Sequence, residues 1–288
     1  MLGACLYAPG AIKTDKIHPG DEVLIVDKYG NHVAAGIARM SSKEILQKKQ
    51  GLAVEVTQSR YHALSLRETP LYESGYFYSQ SLPAILTSRI LGPKPNEFVI
   101  DMCAAPGGKT THMAQLMSNT GTILAVDRSP SRLQKLKNHI QRLGITNVKI
   151  LRQNALKLAE KYSLKADRIL IDPPCSALGH RPKLYETKTK NEILGCAAYQ
   201  RQFLGVAGKL VKKGGIIAYS TCTLSAEENE LNIKHAVEHF GFSVIDQNYF
   251  YGSPGELREE FPEAKHLQRF YPDLHDTPGF FIALMTKI

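Results

Sequence analysis

Short apolar runs alternate with helical patterns along most of the chain. Runs rich in aliphatic and β-branched residues predict strands at 98–101, 122–126, 148–151, 168–171 and 215–219, near 242, and at 280–285. Apolar positions at helical spacing predict helices at 82–91, from about 109, and at 130–143, 199–210 and 225–240. Strands that alternate with helices build parallel sheets, so we expect an α/β fold with a Rossmann-like sheet and helices on both faces.

The first 70 residues follow a different pattern. Their apolar runs predict short strands joined by glycine and proline turns, at 23–26, 33–40 and 52–57, with a short helix at 41–49. Short strands in so little chain are typical of a compact β-barrel. We therefore divide the chain into a β-barrel domain at 1–70 and an α/β domain at 71–288.

Positive charge is concentrated in one segment of the α/β domain. The 288 residues carry a formal net charge of +9, and residues 128–165 contain ten Lys or Arg against one acid, Glu160. A basic helix face either binds a polyanion such as RNA or is only solvated. The aromatic stretch Tyr76-Phe77-Tyr78 likewise either stacks on bases or belongs to a core.

Composition excludes several classes of protein. No apolar run reaches the roughly 18 residues that cross a membrane, and the N-terminus lacks the basic start of a signal peptide, so we expect a cytoplasmic protein. The five cysteines are odd in number and form no CxxC pair. This pattern predicts neither a disulfide framework nor a metal site.

The sequence DMCAAPGGKTT at 101–111 follows the first predicted strand of the α/β domain. A strand, a glycine turn and a helix N-terminus in this order form a ligand site, because glycine lets a ligand approach the backbone and the first helical N–H groups are free. The ending GKT suggests a phosphate-binding loop, but that pattern needs glycine at position 103, where this chain has Cys103. A sharp turn without a ligand is the remaining alternative.

Two polar residues follow the next strands. Asp127 lies 20 residues after Gly107, where a carboxylate that binds a ribose belongs in such folds. It could instead cap the helix that begins near Pro130. Asn154 could contact an adenine edge or serve as a plain turn residue.

Two cysteines follow adjacent predicted strands at the same sheet edge. Cys175 ends the sequence Asp172-Pro173-Pro174-Cys175, and Cys222 lies in YSTCT. A thiol in place of the aromatic ring found after DPP in amino-group methyltransferases suggests covalent chemistry at a ring carbon. A thiolate that adds to carbon 6 of cytosine turns carbon 5 into a nucleophile able to accept a methyl group. The residues alone do not show which cysteine attacks.

Free cysteine has a pKa near 8.5, so the attacking thiolate needs positive potential, for which Lys109 is the candidate. Asp172 is the candidate for holding the base at ring nitrogen 3 and the exocyclic amine. Together these residues predict a catalytic set of Cys222, Cys175, Asp172 and Lys109.

Three separated motifs resemble the Nop/Sun family of S-adenosylmethionine-dependent RNA (cytosine-5) methyltransferases. They are DMCAAPGGKT, DPPCS and YSTCT, the last followed by EENE, and the upstream GYFYSQS agrees with them. The resemblance spans roughly residues 72–288. It implies that Cys222 is the nucleophile and that Cys175 assists release of the methylated base.

The resemblance also implies a set of residues that bind S-adenosylmethionine. This set comprises Cys103, Ala104, Ala105, Pro106, Gly107, Gly108, Lys109, Asp127, Arg132, Asn154 and Asp172. Two positions depart from the family pattern. Asn154 replaces the usual Asp, which would weaken the adenine contact but keep a carbonyl acceptor, and Ala177 replaces glycine, which would make the loop after Cys175 less free.

The N-terminal stretch resembles a PUA domain, a small RNA-binding barrel, through Pro9-Gly10 and His18-Pro19-Gly20-Asp21. A PUA-like module joined to this catalytic domain resembles the tRNA-directed, archaeal branch of the family. The resemblance implies methylation of cytosine 72 in the acceptor stem of tRNA, and we expect a monomer. The alternatives are the same reaction on ribosomal RNA, a non-catalytic RNA-binding or assembly factor, and a barrel that only packs on its neighbour.

Overall fold

The computed structural model describes residues 4–60, 66–181 and 186–288. The chain folds into two compact units, residues 1–66 and residues 67–288. The first unit holds the short strands of the N-terminal pattern, and the second holds all residues of the predicted site.

The first unit is a four-stranded antiparallel sheet. Its strands are β1 (Leu6–Tyr7), β2 (Glu22–Val26), β3 (His32–Ala38) and β4 (Leu52–Ser59), in the spatial order β1-β4-β3-β2. The predicted hairpin is confirmed, since β2 pairs with β3. Helix α1 (Ser42–Lys48) begins at a capping box in which Ser41 and Glu44 satisfy each other's backbone N–H groups, and its Ile45 is buried.

The second unit alternates strands with helices, as the apolar pattern predicts. In chain order its elements are α2 (Pro70–Glu73), α3 (Leu82–Leu91), β5 (Phe98–Asp101), α4 (Gly108–Leu116), β6 (Thr122–Asp127), α5 (Pro130–Arg142), β7 (Val148–Arg152), α6 (Leu158–Lys161), β8 (Ala166–Ile171), α7 (Lys190–Leu210), β9 (Val211–Thr221), α8 (Glu230–Phe240), β10 (Phe242–Val244), β11 (Ser253–Pro254), β12 (Gln268–Phe270), α9 (Pro272–His275) and β13 (Phe280–Lys287). None of the helices in the described part of the chain could span a membrane.

These strands form one large mixed sheet in the order β11-β12-β13-β9-β8-β5-β6-β7, with β10 paired to β13. Strands β9, β8, β5, β6 and β7 run parallel. Strand β13 joins β9 antiparallel and continues the sheet to β12 and β11. The parallel part places the carboxyl ends of its strands at one edge, where ligands bind in such folds.

Successive residues of the central strands pack on opposite faces of the sheet. Ile100 packs with α7 and α8 in one buried cluster, whereas Val99 packs with α3 and α4 in another. The same alternation separates Ile169 from Leu170. Since the parallel strands are buried on both faces, the expected Rossmann-like arrangement with helices on both faces is confirmed.

Two helix boundaries differ from the sequence prediction. Helix α7 begins at Lys190 rather than 199, because Thr189 and Glu192 form a capping box upstream. The prediction of a helix from Ser225 is wrong, since α8 begins at Glu230 and Asn229 before it has a non-helical backbone. The turn that replaces the missing helical residues holds the buried side chain of Glu228.

Candidate active site

The predicted catalytic residues meet at the carboxyl edge of the parallel strands. In the register of β8 and β9, Ile171 lies beside Tyr219, so the residues that follow each strand are neighbours. The hydroxyl of Ser220 accordingly donates to Oδ1 of Asp172 at 2.8 Å. The structure therefore brings the DPPC and YSTC segments together, as the sequence predicts.

The two thiols at this edge touch. The Sγ atoms of Cys175 and Cys222 lie 3.3 Å apart, and both residues are half-buried. The backbone N–H of Gly179 donates to the carbonyl oxygen of Cys222 at 3.0 Å, which ties the two loops together. A thiol that donates to a neighbouring sulfur stabilises a thiolate there.

This contact makes the two cysteines unequal. The hydrogen bond from Cys175, together with the charge of Lys109, lowers the pKa of Cys222 against the effects of burial and of Asp172. The same hydrogen bond, with burial, raises the pKa of Cys175. The pKa shifts favour Cys222 over Cys175 as the thiol that ionises more readily.

Lys109 lies on α4 and reaches across to the thiol edge. Its Nζ forms an ion pair with Oδ2 of Asp172 at 2.7 Å and lies 5.1 Å from the centre of the Phe280 ring. Its side chain is 13% exposed and that of Asp172 is 33% exposed. The ion pair holds the lysine ammonium group in a fixed position. Each oxygen of Asp172 accepts from one donor, Oδ1 from Ser220 and Oδ2 from Lys109.

Neighbouring side chains pack closely on the glycine loop. Gly107 precedes α4 with φ +116°, a backbone conformation that favours glycine. A Cβ on Gly108 would lie 2.9 Å from Cε1 of Tyr78 and 3.0 Å from Nε2 of Gln80. The GYFYSQS segment therefore packs directly against the loop.

A buried carboxyl stands behind this loop. Asp101 is 1% exposed, accepts a hydrogen bond from the hydroxyl of Thr110 at 2.7 Å, and accepts another from the backbone N–H of Cys103 at 3.3 Å. Burial raises the pKa of Asp101 to about 7. Burial also raises the pKa of the Cys103 thiol, so that cysteine is a packing residue rather than a nucleophile.

Two adjoining cavities share Cys103 and Asp172. One, of about 250 Å³, contains both thiols and the residues that follow β6, β7 and β8, among them Asp127, Arg132, Asn154, Pro173, Pro174, Cys175, Tyr199 and Cys222. The other, of about 210 Å³, is lined by the glycine loop and the segment that packs on it, namely Tyr78, Gln80, Asp101, Ala104, Ala105, Pro106, Gly107, Gly108 and Lys109. The predicted cofactor-binding set is therefore divided between two cavities that meet at Asp172.

Asp127 and Arg132 connect the walls of these cavities. The Asp127 carboxylate is 6% exposed, accepts the N–H of Ser129 at 2.9 Å and lies 3.6 Å from the guanidinium of Arg132. That guanidinium also donates to the carbonyl oxygen of Ala105 in the glycine loop. The cap of α5 is Ser129, so the alternative role of Asp127 as this N-cap is wrong.

The two departures from the family pattern both line the larger cavity. The side-chain oxygen of Asn154 accepts the N–H of Leu156 at 3.1 Å, so this residue caps a 3₁₀ turn and also faces the cavity. Ala177 has φ +57°, a conformation that glycine would adopt without strain. This explains why glycine suits this position, and it places a strained residue two positions after Cys175.

Sequence reasoning missed several residues of this site. Tyr78 and Gln80 could have been assigned from the GYFYSQS motif, which the sequence shows only as an aromatic segment. Gln200 and Glu228 are fully buried polar residues next to the Cys175 loop, and nothing in their spacing predicts it. Among the described residues, no group of three His, Cys, Asp or Glu side chains could hold a metal ion.

Comparison with known families gives two matches. The family described as 16S rRNA methyltransferase RsmB/F matches residues 88–286, and the PUA domain family matches residues 1–59.

Individual proteins agree with the family matches. The tRNA (cytosine(72)-C(5))-methyltransferase of Pyrococcus horikoshii is 50% identical over 99% of this chain, which spans 72% of that relative. The mouse tRNA (cytosine(72)-C(5))-methyltransferase NSUN6 is 31% identical over 95% of this chain, which spans 64% of it. A crystal structure of NSun6 from Pyrococcus horikoshii with SFG superposes with a TM-score of 0.90 at 49% identity, covering 99% of this chain and 73% of that one.

Proposed function

The chain belongs to the RsmB/F family of methyltransferases and carries a PUA domain, and on this premise we propose that it methylates carbon 5 of a cytosine in tRNA through a covalent cysteine adduct. The observation that carries the proposal is the 3.3 Å contact between the sulfurs of Cys175 and Cys222, beside the Lys109–Asp172 ion pair. We propose residues 1–70 as the RNA-binding domain and 71–288 as the methyltransferase domain.

The residues around the two cavities fit S-adenosylmethionine. The buried Asp127 carboxylate suits ribose hydroxyls, Asn154 supplies an amide for a base edge, and the free N–H groups at the start of α4 suit an acceptor-rich group. The Arg132 bridge from Asp127 to Ala105 holds the two parts of the site in one arrangement. When bound, the cofactor supplies an electrophilic methyl group.

The residues at the strand ends perform the covalent chemistry. Cys222, whose pKa is lowered by the Cys175 hydrogen bond, adds as a thiolate to carbon 6 of the base. Asp172 accepts a hydrogen bond from the exocyclic amine of the base, and Lys109, 2.7 Å away, balances the charge of the Asp172 carboxylate. Carbon 5 becomes nucleophilic as a result. Lys109 thus acts on the base through Asp172 and on Cys222 through its charge.

The proposed substrate is tRNA, with cytosine 72 of the acceptor stem as the target. Two relatives that align with nearly the whole chain are named for this position. A base at a stem end leaves its stack at a cost of a few kcal/mol, which fraying reduces. The description of the matched family favours the same reaction on ribosomal RNA as the second candidate. A tRNA substrate also accords with the expected cytoplasmic location.

Radiolabelled S-adenosylmethionine with total tRNA, followed by mapping of the methylated nucleotide, tests the proposal. We expect label at carbon 5 of cytosine 72 and none in ribosomal RNA. Label in ribosomal RNA alone would select the second candidate. Folded protein that labels no cytosine in either RNA would refute the methyltransferase proposal.

RNA that contains 5-fluorocytidine tests the cysteine roles, because fluorine at carbon 5 prevents release. Cys222→Ala should form no covalent adduct, whereas Cys175→Ala should form one. The opposite pattern would show that the two roles are exchanged.

A further inference from the structure

The peptide groups on both sides of Cys175 are held by one buried pair. Nε2 of Gln200 donates to the carbonyl oxygen of Pro174 at 3.0 Å, and the backbone N–H of Ser176 donates to Oε2 of Glu228 at 3.0 Å. The same Nε2 donates to the same Oε2 at 2.7 Å. The residue before Cys175 and the residue after it are therefore fixed to each other through two side chains.

Burial and further hydrogen bonds hold this arrangement in place. Ser176 is 1% exposed, and Gln200 and Glu228 are fully buried. The Ser176 hydroxyl donates to Oε1 of Glu228, and the Ser225 hydroxyl donates to the same oxygen at 3.1 Å. A carboxylate only accepts, so it satisfies all of these donors at once.

Gln200 is oriented from its other end. Its Oε1 accepts from the hydroxyl of Tyr219 at 2.9 Å and from Nδ2 of Asn232 at 3.0 Å. These bonds fix which end of the amide faces Pro174. The Glu228 carboxylate thus joins the Cys175 loop to a network that includes residues of α7, α8 and β9.

We propose that Glu228 is a positioning residue that aligns the Cys175 thiol with the Cys222 sulfur for release of the methylated base. The proposal rests on the proposed function, since release is a step of that reaction. It assigns to Glu228 no contact with the base or the cofactor.

Release needs a sulfur that leaves. The proton on carbon 5 passes to water, the electron pair of that C–H bond restores the C5–C6 double bond, and the pair of the C6–S bond returns to Cys222 as a thiolate. The S–H of Cys175, 3.3 Å from that sulfur, stabilises the charge as it develops. During addition the negative charge on the Cys222 sulfur disappears, because the thiolate is consumed. Loss of the hydrogen bond from Cys175 therefore slows release more than addition.

The test is Glu228→Gln in the full 288-residue chain. In glutamine an N–H₂ group replaces one of the two carboxylate oxygens. If it replaces Oε2, the backbone N–H of Ser176 and Nε2 of Gln200 lose their acceptor; if it replaces Oε1, the hydroxyls of Ser176 and Ser225 lose theirs. We expect turnover on cytidine tRNA to fall on the order of tenfold to a hundredfold, as for a small misplacement at a reacting centre. The denaturation-stable protein–RNA adduct should rise several-fold over wild type, while adduct formation with 5-fluorocytidine RNA proceeds within a few-fold of the wild-type rate.

Glu97→Gln is the matched control. Glu97 forms an ion pair with Arg168 at 2.6 Å and precedes β5, at the end of the sheet opposite to the thiols. The same chemical change there should leave the ratio of adduct to turnover at the wild-type value. If Glu228→Gln does not fold, Ser176→Ala removes only one hydroxyl from the network and should raise the adduct in the same direction.

Two results would overturn the inference. One is a Glu228→Gln variant that turns over cytidine tRNA without accumulating the protein–RNA adduct. The other is an equal fall in turnover and in adduct formation with 5-fluorocytidine RNA, which would indicate general disruption of the site. Failure of wild type to form any adduct would refute the proposed function itself, and so is a separate outcome.

Discussion

The buried carboxyl of Asp101 should make the stability of the protein depend on pH. Burial, which the hydrogen bond from Thr110 only partly offsets, raises its pKa from 3.8 to about 7. Between these values the folded protein holds a proton that the unfolded chain has released, so the free energy of unfolding falls as pH rises. The contribution of this group is fully present below about pH 4 and is lost by about pH 7.

The size of the effect follows from the two values. A difference of about 3 pKa units, from 3.8 to about 7, corresponds to on the order of 4 kcal/mol over the whole window. About 2 kcal/mol of this falls between pH 5 and pH 7. The Asp101→Asn variant cannot titrate at this position. Between pH 5 and pH 7 the free energy of unfolding of wild type should therefore fall by about 2 kcal/mol more than that of the variant.

Guanidinium unfolding at pH 5, 6, 7 and 8, followed by circular dichroism, measures the difference. Comparing the two proteins at each pH cancels the titration of all other groups. Thr110→Val serves as a second arm, since loss of its hydrogen bond raises the pKa of Asp101 further and extends the decline above pH 7. A difference between wild type and Asp101→Asn that stays constant from pH 5 to pH 8 would refute the reasoning.

Three further changes give distinct outcomes. Gly108→Ala places a Cβ 2.9 Å from the Tyr78 ring and should weaken cofactor binding in equilibrium dialysis by about tenfold or more; unchanged affinity would contradict the packing of that segment on the loop. Arg269→Met leaves Glu230 buried and unpaired and should cost about 3–5 kcal/mol in unfolding experiments, and a loss below about 1 kcal/mol would show that the pair is dispensable. Lys109→Ala removes a cause of the lowered pKa of Cys222 and should move adduct formation to higher pH; an unmoved profile would remove the lysine from thiolate stabilisation.

Local sequence patterns were sufficient to predict the parallel strands and the proximity of Cys175 and Cys222. A strand that ends just before Asp172 and a neighbouring strand that ends just before Cys222 must bring these residues to one edge, because parallel strands share their direction. The glycine turn at Gly107 is readable for the same reason, since a strand, a turn and a helix follow in order.

Contacts between distant segments could not be predicted in this way. The turn before α8 reads as helix because its spacing is helical, but Glu228 satisfies donors on the Cys175 loop instead, and tertiary hydrogen bonds decide its backbone. The pKa of Asp101 depends on burial under α4, which no local pattern reveals. The short strands β11 and β12 were missed because their pairing partners, rather than their own residues, make them strands.

The position of β13 has a consequence for the order in which the site is built during synthesis. Strand β9 leads directly to Cys222, and one of its two neighbours is β13, which emerges from the ribosome only after β10, β11 and β12. Until then β9 is an exposed edge open to pairing with other chains, and Lys109 lacks the Phe280 ring against which it packs. We expect a nascent chain to acquire its thiol pair late, so that arrest before residue 280 yields aggregation rather than a partly active enzyme.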